Sequence, residues 1–145
     1  MNERLMRRVL WIVMAAGLVL LAATLFASDD AARRSGEDCA KAWLAVVDSG
    51  RYAESWKQAS SLFRRQVTAE QWEKALDSVR SPLGRLVSRA VRSAEFTRSL
   101  PGAPDGEYVV VQYDSSFENK KQGIETVTVM KDSDEAWRVG GYFIK

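Results

Sequence analysis

The sequence predicts an α+β domain, three helices packed on a four-stranded curved antiparallel sheet, preceded by one apolar N-terminal helix. Three observations carry this. Apolar residues recur at helical spacing between Ala40 and Val79. From Glu107 onward the pattern changes to alternation among β-branched and aromatic residues. Ahead of both stands a charge-free run, residues 9–27.

That run comes first in the chain. At about 1.5 Å per residue it is long enough for the ~30 Å hydrocarbon core of a bilayer. It predicts a membrane anchor or, if cut after Ala27, a cleaved signal. Arg4, Arg7 and Arg8 precede it, and Asp29 and Asp30 follow it. Positive charge stays on the cytoplasmic side, which places the rest of the chain outside the cytoplasm. The acidic Gly36-Glu37-Asp38 ahead of Cys39 is no lipidation signal. The lone Cys39 is read as a small residue on the first helix, or as a partner for pairing between chains. The polar stretch 28–37 reads as a tether, and 38–145 as a single domain.

In the first half of that domain, Ala40, Trp43, Leu44 and Val47 form one helical stripe, startable by Ser35 or Asp38 and stopped at Ser49-Gly50. Tyr52, Trp56, Ala59 and Phe63 form the next stripe. Thr68 with Gln71 is a capping box for a third, Trp72, Ala75, Leu76 and Val79, which Pro82 ends. In the second half, 107–117 carries Val109, Val111, Tyr113 and Phe117 on one parity, with Tyr108 and Val110 on the other. Residues 124–131 and 137–144 follow as strands, joined by polar turns at 119–122 and 132–135. Residues 85–98 fit either a helix or a strand. We read them as a bulged strand, since a three-stranded sheet would leave a long edge uncovered.

The stretches AWLAVVDSGRYAESWKQASSLFRRQVTAEQWEKAL, RSPLG, PGAPDGEYVVVQYDSSFENK, ETVTVMKD and WRVGGYFIK, in that order, resemble bacterial domain-of-unknown-function family 4019 over residues 42–145. The helices-then-meander order is similar to the nuclear-transport-factor-2-like superfamily, whose cone-shaped fold often encloses a pocket. For a chain that resembles a bacterial family, the N-terminal span and its flanking charges predict an envelope location, in the inner membrane with the domain outside the cytoplasm, or secreted or periplasmic if the N-terminus is cleaved. It carries over no catalytic residue.

Composition narrows the chemistry. Of 145 residues none is histidine and one is cysteine. That removes the commonest general base, a cysteine zinc cage and an internal disulfide. The formal charge is +2, but residues 1–27 hold three of the 21 basic and one of the 19 acidic residues, so the remainder is balanced. A balanced domain lacks the surplus that nucleic-acid binding requires, and no nucleic-acid partner is expected. No G-x-S-x-G elbow and no glycine-rich phosphate loop occurs, although a Ser–Lys pair stays open. Asp132, Asp134 and Glu135 read as a hairpin tip rather than a metal site. No metal and no cofactor is implied.

Two carboxylates invite a catalytic reading. Glu125 and Asp114 lie in neighbouring strands, where a cone could bury either and suit it to acid–base work. The alternative is cross-strand pairing with Lys131, Arg138 or Arg92, worth about 0.2–1 kcal/mol. Trp43, Trp56, Trp72 and Trp137 read first as core. As a binding site, Trp56, Tyr113 and Trp137, with Glu125, would line a pocket for an apolar ligand or peptide. Arg80, Arg85, Arg89 and Arg92 read as a solvated, aggregation-resistant edge. The expectation is a non-enzymatic, membrane-tethered binding domain. The alternatives are a small enzyme using a buried carboxylate, or an envelope protein that dimerises through its sheet, as apolar Tyr108 and Val110 suggest.

Overall fold

The computed structural model describes residues 3–145, with side chains from residue 23 onward. The chain divides into two compact units, Met1–Ala31 and Ala32–Lys145. Helix α1, Glu3–Asp48, contributes to both. Most of the expected 9–27 span, residues 9–22, lies outside the residues whose side chains are described. Among the described residues no helix is long and apolar enough to cross a membrane.

Residues 28–37 are helical, and neither Ser35 nor Asp38 starts a helix there. The stretch contains no proline, and Arg33 pairs with Glu37 one turn on, which supports continuation. Gly36 sits against Val109, whose side chain a Cβ would overlap. The helix ends where the sequence predicts. Gly50 takes φ +76°, and its N–H donates to the Val47 carbonyl at 2.9 Å.

The second stripe divides into two short helices, so four helices replace the expected three. They are α2, Tyr52–Lys57, and α3, Ser61–Gln66. Ser60 breaks the stripe by capping α3, its hydroxyl accepting from the Phe63 N–H at 3.1 Å. Its own N–H donates to the Val139 carbonyl at 2.8 Å, which ties the break to the sheet. Asp132, from the turn read as a hairpin tip, accepts from the Ser61 N–H at 2.8 Å and from the Ser61 hydroxyl at 2.6 Å. Helix α4, Ala69–Arg80, opens on the predicted Thr68–Gln71 capping box. A short 3₁₀ turn, Ser81–Leu83, then ends the helical half.

Four strands follow in a meander: β1 Leu86–Thr97, β2 Tyr108–Phe117, β3 Lys120–Lys131 and β4 Trp137–Ile144. They lie side by side in chain order, each antiparallel to the next. The ambiguous segment is therefore a strand. It is bulged as expected, with register shifts between Leu86 and Ser88 and between Val91 and Ser93. The β2–β3 turn is tighter than the sequence suggested. It spans Glu118-Asn119, and Lys120–Gln122 belong to β3.

The predicted parity holds. Val109, Val111, Tyr113 and Phe117 of β2 are buried with Val127 and Val129 of β3 and Val139 of β4. They pack with Ala40, Trp43, Leu44 and Val47 of α1 and with Trp72 and Leu76 of α4. Burying each large apolar side chain contributes roughly 1.5–3 kcal/mol. The core is bound together by its indoles. Trp43 donates to the Ser55 carbonyl at 2.8 Å, Trp56 to the Val67 carbonyl at 2.7 Å, and Trp72 to the Ser55 hydroxyl at 3.0 Å. The small Ser55 and Ala59 are fully buried beside them.

Candidate functional site

One end of the core is ionic. Glu125 of β3 is 0% exposed. The β2–β3 register sets it opposite Tyr113, and the β3–β4 register opposite Ile144. Arg89 of β1 grips it with two bonds, Nε to Oε1 at 2.7 Å and Nη2 to Oε2 at 3.0 Å. The Ser115 hydroxyl donates to Oε1, and the Tyr142 hydroxyl to Oε2 at 2.6 Å. A carboxylate offers about four acceptor positions, and four donors occupy them.

The network closes on itself through the end of α1. Arg89 also reaches Asp48, Nη1 to Oδ2 at 2.6 Å and Nη2 to Oδ1 at 3.0 Å. Arg80, the last residue of α4, donates to Asp48 Oδ1 at 2.7 Å and to the Tyr142 hydroxyl at 3.3 Å. Two guanidiniums thus balance two carboxylates, with Tyr142 bridging them. Arg80 lies 5.0 Å over the Phe117 ring, and Arg89 5.9 Å over Tyr113.

The electrostatics follow from this geometry. Burial pushes the Asp48 carboxyl up, but the bonds and charges of Arg89 and Arg80 outweigh it and hold it below the usual range. Burial, reinforced by the Glu125 charge, drives the Tyr142 hydroxyl well above its ordinary value. Burial likewise pushes Tyr113 up to about 12. Two buried atoms lack a hydrogen-bond partner among the described residues, Arg80 Nε and the Tyr113 hydroxyl.

This arrangement fastens helices to sheet. Its four donors leave the buried Glu125 carboxylate no free lone pair to take a proton. Breaking such a pair leaves a buried charge uncompensated, at a cost of about 3–5 kcal/mol.

The residues singled out from the sequence are placed apart. Tyr113 and Glu125 are cross-strand neighbours in the ionic end of the core. Trp56 and Trp137 pack against the apolar cluster as half-buried neighbours. The Trp137 carbonyl accepts from the Cys39 thiol at 3.3 Å, and burial raises that thiol to about 11 despite Arg138 nearby. Asp114 meets Arg92 at 3.4 Å on the surface, the cross-strand pairing weighed for it. Arg85 pairs with Glu118 at 2.7 Å. Tyr108 is covered, its hydroxyl donating to the Pro104 carbonyl. Of the arginine run read as a solvated edge, Arg80 and Arg89 instead point inward to the carboxylates. The sequence signal for their partners was weak: Asp48 stands just before the Ser49-Gly50 stop, and Ser115 and Tyr142 lie inside strand patterns.

Beside the ionic cluster lies an apolar groove of about 180 Å³ between α4 and β4. Trp72, Ala75, Leu76 and Val79 form one wall, and Tyr142, Phe143 and Ile144 the other. Val79 is 45% exposed and Phe143 49%. Strand β4 is an edge of the sheet. Ile124 and Lys145 exchange both backbone bonds, at 3.0 and 2.9 Å. Antiparallel alternation from that pair turns the N–H and C=O groups of Tyr142 and Ile144 outward, along the groove. Farther along the edge, the Val139 carbonyl is taken by Ser60.

Comparison with curated proteins and with solved structures gives no match. The family described as "Protein of unknown function (DUF4019)" matches residues 39–142. That match runs from the buried part of α1 to Tyr142 and takes in Asp48, Arg80, Arg89 and Glu125, and the chain belongs to the DUF4019 family.

Proposed function

We propose that this chain is a non-enzymatic binding domain, held outside the cytoplasm by its N-terminal apolar segment, that receives an apolar side chain of an extended partner segment between α4 and β4. The observation that carries the reading is the groove itself. At about 180 Å³ it falls short of the roughly 300–1,000 Å³ of small-molecule sites and matches a single side chain. It also runs beside outward backbone groups of an edge strand. An added strand supplies main-chain bonds there, while a pocket selects its side chain. The saturated Glu125 argues against the acid–base alternative. The helices-then-meander order supports kinship with the nuclear-transport-factor-2-like fold, with the space of its cone filled here by core and ion cluster.

The test uses the full chain in detergent, titrated with blocked extended pentapeptides carrying a central Leu or Phe. Amide resonances of Tyr142 and Ile144 should shift saturably, and Val79→Glu should abolish the shift. Unmoved amides at millimolar peptide would refute the reading. Alkaline extraction of membranes from the source cells tests the tether, since an uncut chain stays with the membrane.

A further inference from the structure

A second depression lies at the turn end of the β2–β3 hairpin, with a volume of about 580 Å³. Asp114, Ser115, Ser116, Gly123 and Ile124 line it, so both parities of the hairpin end border it, and Ser115 stands between it and Glu125. Its concavity has a local cause. Register shifts fall between Leu86 and Ser88, between Val91 and Ser93, and between Ser115 and Phe117, all within or beside its walls. Such irregularities bend a strand, add twist and re-aim side chains.

Its charge is equally distinctive. Arg92, Lys120, Lys121 and Lys145 stand around it, opposed within it by Asp114, which Arg92 already meets at 3.4 Å. Among the described residues, no carboxylate lies within 4 Å of the ammonium groups of Lys120, Lys121 or Lys145. Elsewhere Arg80, Arg85, Arg89, Lys131 and Arg138 each meet a carboxylate within that distance. Hydroxyl donors of Ser88 and Ser116 share the walls with these lysines, of which Lys145 holds its ammonium 5.6 Å over the Phe143 ring and Lys121 stands near enough to Glu118 to help lower that carboxyl. A lone carboxylate ligand would leave this surplus mostly uncompensated. A group with two or more negative charges and several acceptor oxygens fits it, and lysine serves phosphate well as a point charge. The volume lies within the usual range for small-ligand sites.

We propose that this groove binds a phosphate-bearing anion through Lys120, Lys121 and Lys145. The phosphate belongs either to a free phosphate compound or to an anionic phospholipid headgroup. The site is separate from the α4–β4 groove and stands or falls independently of it.

The experiment places the full chain in zwitterionic nanodiscs and follows the amide resonances of Ser116 and Gly123. One arm titrates inorganic pyrophosphate at constant ionic strength, up to about 10 mM. The other replaces part of the lipid with phosphatidylglycerol. Saturable shifts with pyrophosphate identify a free phosphate ligand, and shifts confined to the phosphatidylglycerol arm identify a headgroup. In either case K120Q/K121Q should weaken binding about tenfold or more, with the remaining spectrum unchanged. The proposal is overturned by an absence of saturable shifts in both arms, by equal shifts in K120Q/K121Q, or by sodium chloride reproducing them.

Discussion

Strand β2 meets opposite electrostatic arrangements, one in the core and one at its turn end. Toward the helices, Ser115 serves Glu125, and Arg80 and Arg89 are matched by Asp48 and Glu125. At its turn end, Ser115 and Ser116 both border a groove whose three lysines have no carboxylate within ion-pair reach among the described residues. The difference separates charge used for construction from charge left for a ligand. Buried charge must be neutralised within the fold, because desolvation is too costly otherwise. Exposed charge carries no such requirement, and water pays its solvation until a ligand displaces it.

The largest expected effect comes from breaking the matched side. Glu125→Ala takes one of Arg89's two carboxylates and leaves the Ser115 and Tyr142 hydroxyls without their acceptor, and should cost about 3 kcal/mol in denaturant unfolding of the full chain. A loss below about 1 kcal/mol would show that the cluster adds little to stability.

Acid should attack the same side next. Asp48 titrates below its unfolded value, so its contribution is complete above the unfolded carboxyl pKa and is lost as pH falls through the lower folded value. Unfolding free energy should therefore drop in that acid window, and Asp48→Asn should flatten the drop while lowering stability at neutral pH. At the alkaline end, tyrosines of the unfolded chain ionise near pH 10. Tyr113 holds its proton to about 12, so stability should fall between those values. An Asp48→Asn profile parallel to the parent's in acid would remove Asp48 from this account.

Removing the partnerless hydroxyl sharpens the comparison. Tyr113→Phe deletes a buried donor that has no acceptor, so it should be neutral or stabilising by up to about 1 kcal/mol. The alkaline loss assigned to Tyr113 should vanish with it. A clear destabilisation would mean that the hydroxyl is paired in solution.

The smallest effect belongs to the unmatched side. K120Q/K121Q should change stability by no more than about 0.5 kcal/mol, as surface substitutions free of buried partners do. Thermal unfolding of parent and variant would check this, and a larger loss would assign those lysines a structural task.

Legibility divided along the same line. The capping box at Thr68 and Gln71, the stop at Gly50 and the alternation of β2 could be read directly, because each depends on neighbours within a few residues. Helical stripes were visible too, but the break at Ser60 was not, because part of its support is a bond to Val139 from the far end of the chain. The candidate site was half legible. Glu125 and Tyr113 drew attention as polar or amphipathic groups in apolar strands. Arg80 and Arg89 were read as a solvated edge and Asp48 was not singled out, since a charge at a helix end or on an edge strand ordinarily faces water.

The sequence by itself therefore determined the order of helices and strands and the face each buries, through periodicities of 3.6 and 2 and local capping. It also excluded histidine and cysteine-cage chemistry by composition. Only the tertiary structure decided which charges are spent and which are available. Asp48, Arg80, Arg89, Glu125 and Tyr142 come from five elements separated along the chain, and their protonation and pairing depend on a burial that exists only after helices and sheet have met.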